Sequence, residues 1–344
     1  MNPINLSKLF ESFTHIRVGV IGDVMLDTYC WGKVDRISPE APVPVVQVTG
    51  REQRIGGAGN VALNLKALGA SVSLVSMIGK DEEANQLLNL LDKHRIDRTY
   101  VVKSGERITT NKTRIISRNQ QMVRLDAEIT TPLIETDEER LLNAFKTYIE
   151  TVNPDIVILE DYNKGVLTTS LIHKIIAICK EKNILTSVDP KRRNFFSYKG
   201  ADIFKPNLHE AKEGLNIISD EVSEELLNNI HEALQKQLQH SISFITLSEK
   251  GVFYKQEGGS SHWIPTHIRK IADVSGAGDT VIAVASLVYA ATKDVALMAE
   301  MANIAGGLVC EEVGTVAINK NKFQTECEAL LNAGSSAVKQ QQNI

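Results

Sequence analysis

Short apolar runs alternate with amphipathic stretches almost throughout this chain, and that rhythm limits its fold more than any other feature. Residues 17–23 (RVGVIGD), 155–160 (DIVILE) and 184–189 each read as a buried strand closed by an acid. Residues 71–79, 202–205 and 243–247 (SFITL) add further strands. Between them, residues 57–68, 81–94, 168–182, 207–214 and 221–239 carry helical periodicity, and 277–292 and 294–312 close the series. Such alternation calls for an α/β fold with a mostly parallel sheet covered on both faces.

Two stretches break the rhythm. Residues 31–48 hold Pro39, Pro42 and Pro44 around short β-rich pieces. Residues 108–126 (ITTNKTRIISRNQQMVRLD) alternate apolar and polar side chains about a turn near 118–121, the pattern of an antiparallel hairpin. Together they are expected to form one small sheet over the edge of the main one, a lid or a dimer contact. The reading is one α/β domain over 12–330, with lid segments at about 31–48 and 108–126. The polar end, 334–344 (GSSAVKQQQNI), is expected to fray.

Composition excludes several classes. Lys and Arg number 38 against 42 Asp and Glu in 344 residues, a net charge of −4. With 43% hydrophobic and 23% charged residues this is a globular composition, with no general reason to bind nucleic acid or an anionic membrane. Cys30, Cys179, Cys310 and Cys327 lie far apart and lack zinc spacing, so reduced thiols are expected. The N-terminus has no apolar core of a secretory signal, and no apolar run reaches the roughly 18 residues of a spanning helix. A cytoplasmic setting follows as the default.

In an open parallel sheet, ligands sit beyond the carboxyl ends of the strands. Those ends are marked here by Asp23 with Asp27, Glu160-Asp161, Asp189 with Lys191, and Asn207 with Glu210. The sharpest segment is 273–280 (DVSGAGDT), followed at once by an apolar helix. Gly276 and Gly278 let the backbone turn and aim N–H groups out of a helix N-terminus, a ready anion site. Asp279, in the first helical turn, could accept a proton from a hydroxyl; it could also merely cap the helix. Residues 56–60 (GGAGN) open another helix, where Asn60 could bind a sugar hydroxyl, although a tight turn explains the glycines equally well. Position 62 is Ala, so the dinucleotide fingerprint is missing, and no Walker A pattern occurs.

These residues resemble a known family. Segment 56–79 is similar to the first signature of the PfkB/ribokinase carbohydrate kinases, 273–280 to the second, and 207–210 (NLHE) to their NxxE motif. The resemblance implies a ribokinase-like three-layer αβα sandwich with a small β lid, using ATP and Mg²⁺. Segments 22–46, 118–126, 160–168 and 188–194 resemble, more narrowly, the heptose 7-phosphate kinases. In many bacteria that kinase is fused to an adenylyltransferase, whose HxGH motif does not occur here, so the kinase part alone is expected. The implied reaction phosphorylates the anomeric hydroxyl of D-glycero-D-manno-heptose 7-phosphate on the way to ADP-heptose.

Carried over by position, the resemblance makes Asp279 the catalytic base and Gly276, Ala277 and Gly278 the anion hole. Asn207 and Glu210 would organise the ATP phosphates and Mg²⁺, with Glu210 acting through water. Thr246, Ser248, Glu249 and Gly251 (in TLSEKG) would lie near the nucleotide, and Asn303 and Gly307 would flank adenine. Asp23, Asp27, Gly57 and Asn60 would hold sugar hydroxyls, with Asp189 and Lys191 as further contacts. A 7-phosphate needs cations, and Arg36, Lys112, Arg114 and Arg124 on the lid segments are the candidates. Residues 112, 114 and 124 share parity, so they can share a face; a solvated basic edge is the bland alternative. Lid strands imply a homodimer. The other readings weighed are a related kinase for fructose 1-phosphate or ribose, a non-catalytic sensor on the same fold, and a Rossmann oxidoreductase.

Overall fold

In the computed structural model, which describes residues 5–118, 120–267 and 269–341, the apolar runs become a nine-stranded sheet. From edge to edge it runs β13 (Ser261–Ile264), β12 (Val252–Gln256), β11 (Ile242–Thr246), β10 (Ile203–Phe204), β9 (Leu185–Asp189), β8 (Ile156–Glu160), β1 (Arg17–Gly22), β4 (Ser71–Ile78) and β5 (Asp97–Lys103). Neighbours from β11 to β5 pair in parallel, and β12 and β13 are added antiparallel at the edge.

Alternate side chains of each inner strand feed two separate cores. Val18, Val20, Ile156 and Ile158 point into one, Ile21, Val157 and Leu159 into the other. Both faces are apolar, which is why these strands read as unbroken hydrophobic runs. The first core is roofed by α1 (Leu6–Ser12), α2 (Ala58–Leu68), α3 (Glu82–Lys93), α8 (Ala277–Thr292), α9 (Val295–Val309) and α10 (Lys320–Gln341). The second is roofed by α4 (Glu135–Val152), α5 (Thr169–Glu181), α6 (Leu208–Gly214) and α7 (Glu224–Leu238). Helix α8 is buried almost all round from Asp279 to Val288, as its lack of a polar face requires.

A second sheet has the order β3 (Pro44–Gly57), β2 (Val24–Ile37), β6 (Asn111–Ser117), β7 (Gln120–Ala127). Its outer pairs are antiparallel and β2 pairs with β6 in parallel. The strands begin earlier and end later than the expected 31–48, because β2 leaves β1 after a single residue, Asp23. The lid therefore hangs from the carboxyl edge of the main sheet. Pro44 opens the edge strand β3, where a missing N–H costs no ladder bond. The C-terminal segment also differs from expectation: α10 continues through residue 341 of the supposed tail. Ala337, Lys339, Gln340 and Gln341 there are good helix formers.

Helix α10 closes the first core by its Phe323, fully buried against Phe10 with ring centroids 5.4 Å apart. Phe13 lies 5.3 Å from Phe10 on the other side. Truncating Phe323 to Ala should cost about 3–5 kcal/mol of unfolding free energy, the usual range for a buried aromatic. Urea unfolding would measure it, and a loss below about 1 kcal/mol would show that α10 is not part of the packed core.

Candidate active site

The chain builds β1, β4 and β5 outward in one direction, then β8, β9, β10 and β11 in the other. Its switch point lies between β1 and β8, where the crossovers diverge and leave a crevice beyond the strand ends. Gly22, Glu160 and Asp189 are register partners there, so the acids closing β8 and β9 stand side by side. A cavity of about 640 Å³ opens at this edge and extends to α9.

Asp279 is the centre of the site. Gly276 enters α8 with φ +78°, a left-handed conformation that places Asp279 in the first turn. One carboxylate oxygen accepts the Tyr162 hydroxyl at 2.6 Å and the other accepts the Asn60 amide at 2.7 Å. Burial pushes the Asp279 carboxyl up to about 6, although the Tyr162 and Asn60 hydrogen bonds hold it down. Asn60 is itself oriented by Asn64, whose amide donates to the Asn60 side-chain oxygen at 3.4 Å and to its backbone carbonyl at 2.9 Å. The Asn64 side-chain oxygen in turn accepts from Thr280 and from the Ile318 N–H. Thus Asn60, expected to face the sugar, is fully buried and spends its amide on the carboxylate. Tyr162 was not singled out from sequence; it lies inside the segment 160–168 but carries no motif of its own.

Around the α8 turn, the Ala277 N–H is already bonded to the Val274 carbonyl at 3.2 Å. That leaves the turn at Gly276 and Gly278 as the open part of the expected anion hole. A side chain at Gly278 would come within 3.9 Å of the Lys205 ammonium and 3.8 Å of Asp189. Lys205, missed in the sequence, is buried and pairs with Asp189 at 2.7 Å. Lys191 bridges Asp189 at 3.1 Å and Glu210 at 2.7 Å. Burial opposes ionisation of Asp189, yet Lys191 and Lys205 outweigh it and hold its carboxyl below the usual range. Glu160 is different. It is fully buried and neither carboxylate oxygen has a partner among the described residues. Burial, with Asp189 and Asp279 nearby, raises its carboxyl well above the ordinary value.

The expected nucleotide residues line the same cavity: Asn207, Glu210, Thr246, Ser248, Glu249, Gly251, Asn303 and Gly307. Asn207 and Glu210 form a capping box at the start of α6, each side chain accepting the other's backbone N–H at 2.8 Å. The NxxE spacing is thus first a helix cap, with the second Glu210 oxygen held by Lys191. Asn303 donates its amide to the Pro265 carbonyl at 2.9 Å, so it braces the cavity wall. No group of three or more His, Cys, Asp or Glu among the described residues could cage a metal ion. Magnesium arriving with phosphates needs only one or two carboxylates plus water. Glu210 and Asp189 are cavity carboxylates of the kind that could supply them, each now paired with Lys191.

On the lid side, Asp23 accepts the N–H groups of Tyr162, Lys164 and Val166 at 2.8–3.0 Å. Expected to hold a sugar hydroxyl, it instead folds the loop that presents Tyr162. Gly57 ends β3 and caps α2. Register puts Arg54, Asp27, Lys112 and Asp126 in one row across the lid, and Glu52, Tyr29, Arg114 and Arg124 in the next row on the same face. Asp27 pairs with Arg114. Lys112 pairs with Asp126 and Glu128, and Glu128 also holds Lys164 at 2.8 Å. Arg124 pairs with Asp126 and is half exposed. Arg36 does not join this group. It lies exposed nine residues along β2 from Asp27, roughly 30 Å at strand rise.

Residues 16–322 match the model of the family described as pfkB family carbohydrate kinase. The chain is 41% identical over 320 residues to the bifunctional protein HldE of Geobacter sulfurreducens, covering 93% of this chain and 64% of that protein. It is 42% identical over 312 residues to the bifunctional protein HldE of Nitrosococcus oceani, covering 91% and 64%. The chain thus spans less than two-thirds of the length of these relatives. Among solved structures, the fold is similar to phosphofructokinase-2 from Escherichia coli in complex with potassium, with TM-score 0.75, 16% identity and coverage of 90% and 97%. Ribokinase from Arabidopsis thaliana complexed with ribose and ATP gives 0.69, 15%, 90% and 98%. A buried acid at a glycine-rich helix start, a cavity at the sheet's switch point and a family match over most of the length all agree: this chain belongs to the pfkB family of carbohydrate kinases and is a sugar kinase.

Proposed function

We propose that this kinase transfers the γ-phosphate of ATP to the anomeric hydroxyl of D-glycero-D-manno-heptose 7-phosphate, giving the 1,7-bisphosphate. The observation that carries the reaction is the Asp279 carboxylate, buried at the start of α8 and held by Tyr162 and Asn60. The observation that favours a phosphorylated sugar is the lid face bearing Lys112, Arg114 and Arg124. The segments similar to heptose 7-phosphate kinases, and the similarity to the HldE proteins, favour heptose over fructose 1-phosphate or ribose.

The sugar lies between lid and sheet, with Asp27 on a hydroxyl and the 7-phosphate against the lid cations. Its anomeric hydroxyl gives its proton to Asp279 while the oxygen forms a bond to the γ-phosphorus. The bond from that phosphorus to the β–γ bridging oxygen breaks, and ADP leaves. Charge on the transferring phosphoryl group falls to the backbone donors at Gly276 and Gly278 and to Lys205 and Lys191, dipoles and charges fixed before the reaction. Magnesium, held with the phosphates by Glu210 and Asp189, would neutralise the β- and γ-phosphate oxygens. A seated lid excludes water and so spares ATP from hydrolysis.

The homodimer is proposed through the lid, which exposes Val48, Val123 and Leu125. These would bury against a second copy. Light scattering should give twice the 37.9 kDa chain mass, and a monomer at micromolar concentration would oppose it.

An ADP-release assay over a panel of sugar phosphates tests the substrate. Heptose 7-phosphate should be preferred, and good turnover of a hexose phosphate with none of heptose 7-phosphate would overturn the assignment. Asp279→Asn should keep ATP affinity nearly intact and cut turnover by at least ~10². Near-normal turnover would remove Asp279 as base. Because the base works ionised, kcat/KM should fall as pH drops through about 6. Tyr162→Phe removes a donor that favours the carboxylate, so the acid limb should move to higher pH. A limb that stays put, or moves down, would contradict that role for Tyr162.

A further inference from the structure

Arg54 belongs to no sequence motif, yet it is one point where the lid grips the body of the protein. Its Nη1 donates to the Val313 carbonyl at 3.3 Å and the Thr315 carbonyl at 3.2 Å. Its Nε pairs with Glu52 at 2.7 Å, and its guanidinium lies 4.9 Å from the centre of the Tyr29 ring. Arg114 lies against the same ring at 5.3 Å while pairing with Asp27. The planar fork of an arginine suits two carbonyls and a ring face together.

The gripped loop leads directly to the α8 turn. Gly314 lies so close to Arg54 that a side chain there would meet Nη1 at 2.7 Å. Its N–H donates to one oxygen of Asp273 at 2.9 Å. The other Asp273 oxygen accepts the Ser275 N–H at 2.9 Å and the Ser275 hydroxyl at 2.8 Å. Ser275 is followed by Gly276. The Cys310 carbonyl, at the start of the same loop, accepts the N–H groups of Ala272 and Asp273. Thr315 packs beside Gly276, where a Cβ would meet it at 3.1 Å. An unbroken series of contacts therefore joins Asp27 on the lid, through Arg114, Tyr29 and Arg54, to the turn that carries Asp279.

We propose that Arg54 is a positioning residue for phosphoryl transfer, holding the 313–315 loop against the lid so that the Gly276–Asp279 turn keeps its reactive geometry. The inference rests on the role of that turn argued under Proposed function. It makes the seating of the lid on the sugar and the shape of the anion site one event. Small displacements of a reacting group cost large factors in rate. The adenine end of the cavity, at Asn303 and Gly307, lies outside this series.

The test uses Arg54→Ala and Arg54→Lys in the full chain. Arg54→Ala should lower kcat at least ~10-fold and raise the sugar KM, with ATP affinity little changed. Arg54→Lys keeps the charge and most of the packing, so it should restore the melting temperature but not the turnover. Hydrogen exchange without any ligand should be faster in Arg54→Ala at the amides of 273–280, as well as at 313–315. Turnover within twofold of wild type in both variants would overturn the proposal. So would faster exchange confined to 313–315. The exchange measurement needs no sugar: a wild-type enzyme inert toward heptose 7-phosphate would sink the substrate assignment and leave the Arg54 result standing.

Discussion

A carboxylate buried at the carboxyl edge of a parallel sheet must find donors, and the site is arranged around how Asp279 finds them. Its two come from distant parts of the chain, Asn60 at the start of α2 and Tyr162 in the loop after β8. Each donor is fixed by a partner of its own. Asn64 orients Asn60, and Asp23 gathers three N–H groups to shape the Tyr162 loop. Burial raises the Asp279 carboxyl while these hydrogen bonds restrain the rise, leaving a group able both to ionise and to take a proton near neutrality.

Charge elsewhere follows the same logic. A net charge of −4 suggests no taste for anions, yet Lys191 and Lys205 sit at the sheet edge and four cations line one face of the lid. Each is matched with an acid: Asp189, Glu210, Asp27, Asp126, Glu128 or Glu52. A phosphate bound as the proposed function requires would exchange one set of ion pairs for another instead of meeting bare charge. Selection then depends on geometry more than on total attraction.

Much of this was legible in the sequence. The strand–helix rhythm specified the sheet, because strands buried on both faces cannot hide their apolar runs. The glycine turn at 276–278 announced a helix N-terminus, and the parity of 112, 114 and 124 put them on one lid face. What escaped was convergence across the sheet. Tyr162, Lys205 and Arg54 belong to no short pattern; they matter because β8, β10 and β3 end at the same crevice. Asp23 and Asn60 were visible as polar residues near a ligand, but the geometry turns them inward, to a loop and to Asp279. The far end of β2 was equally opaque: nothing in the sequence told how long the lid strands run, and their length carries Arg36 away from the site.

The most direct test of the central claim is ³¹P NMR of the reaction with ATP and D-glycero-D-manno-heptose 7-phosphate. Appearance of a second phosphomonoester signal split by the anomeric proton, in step with ADP, is the predicted result. ADP accompanied only by inorganic phosphate, or a new phosphate without that coupling, would contradict it.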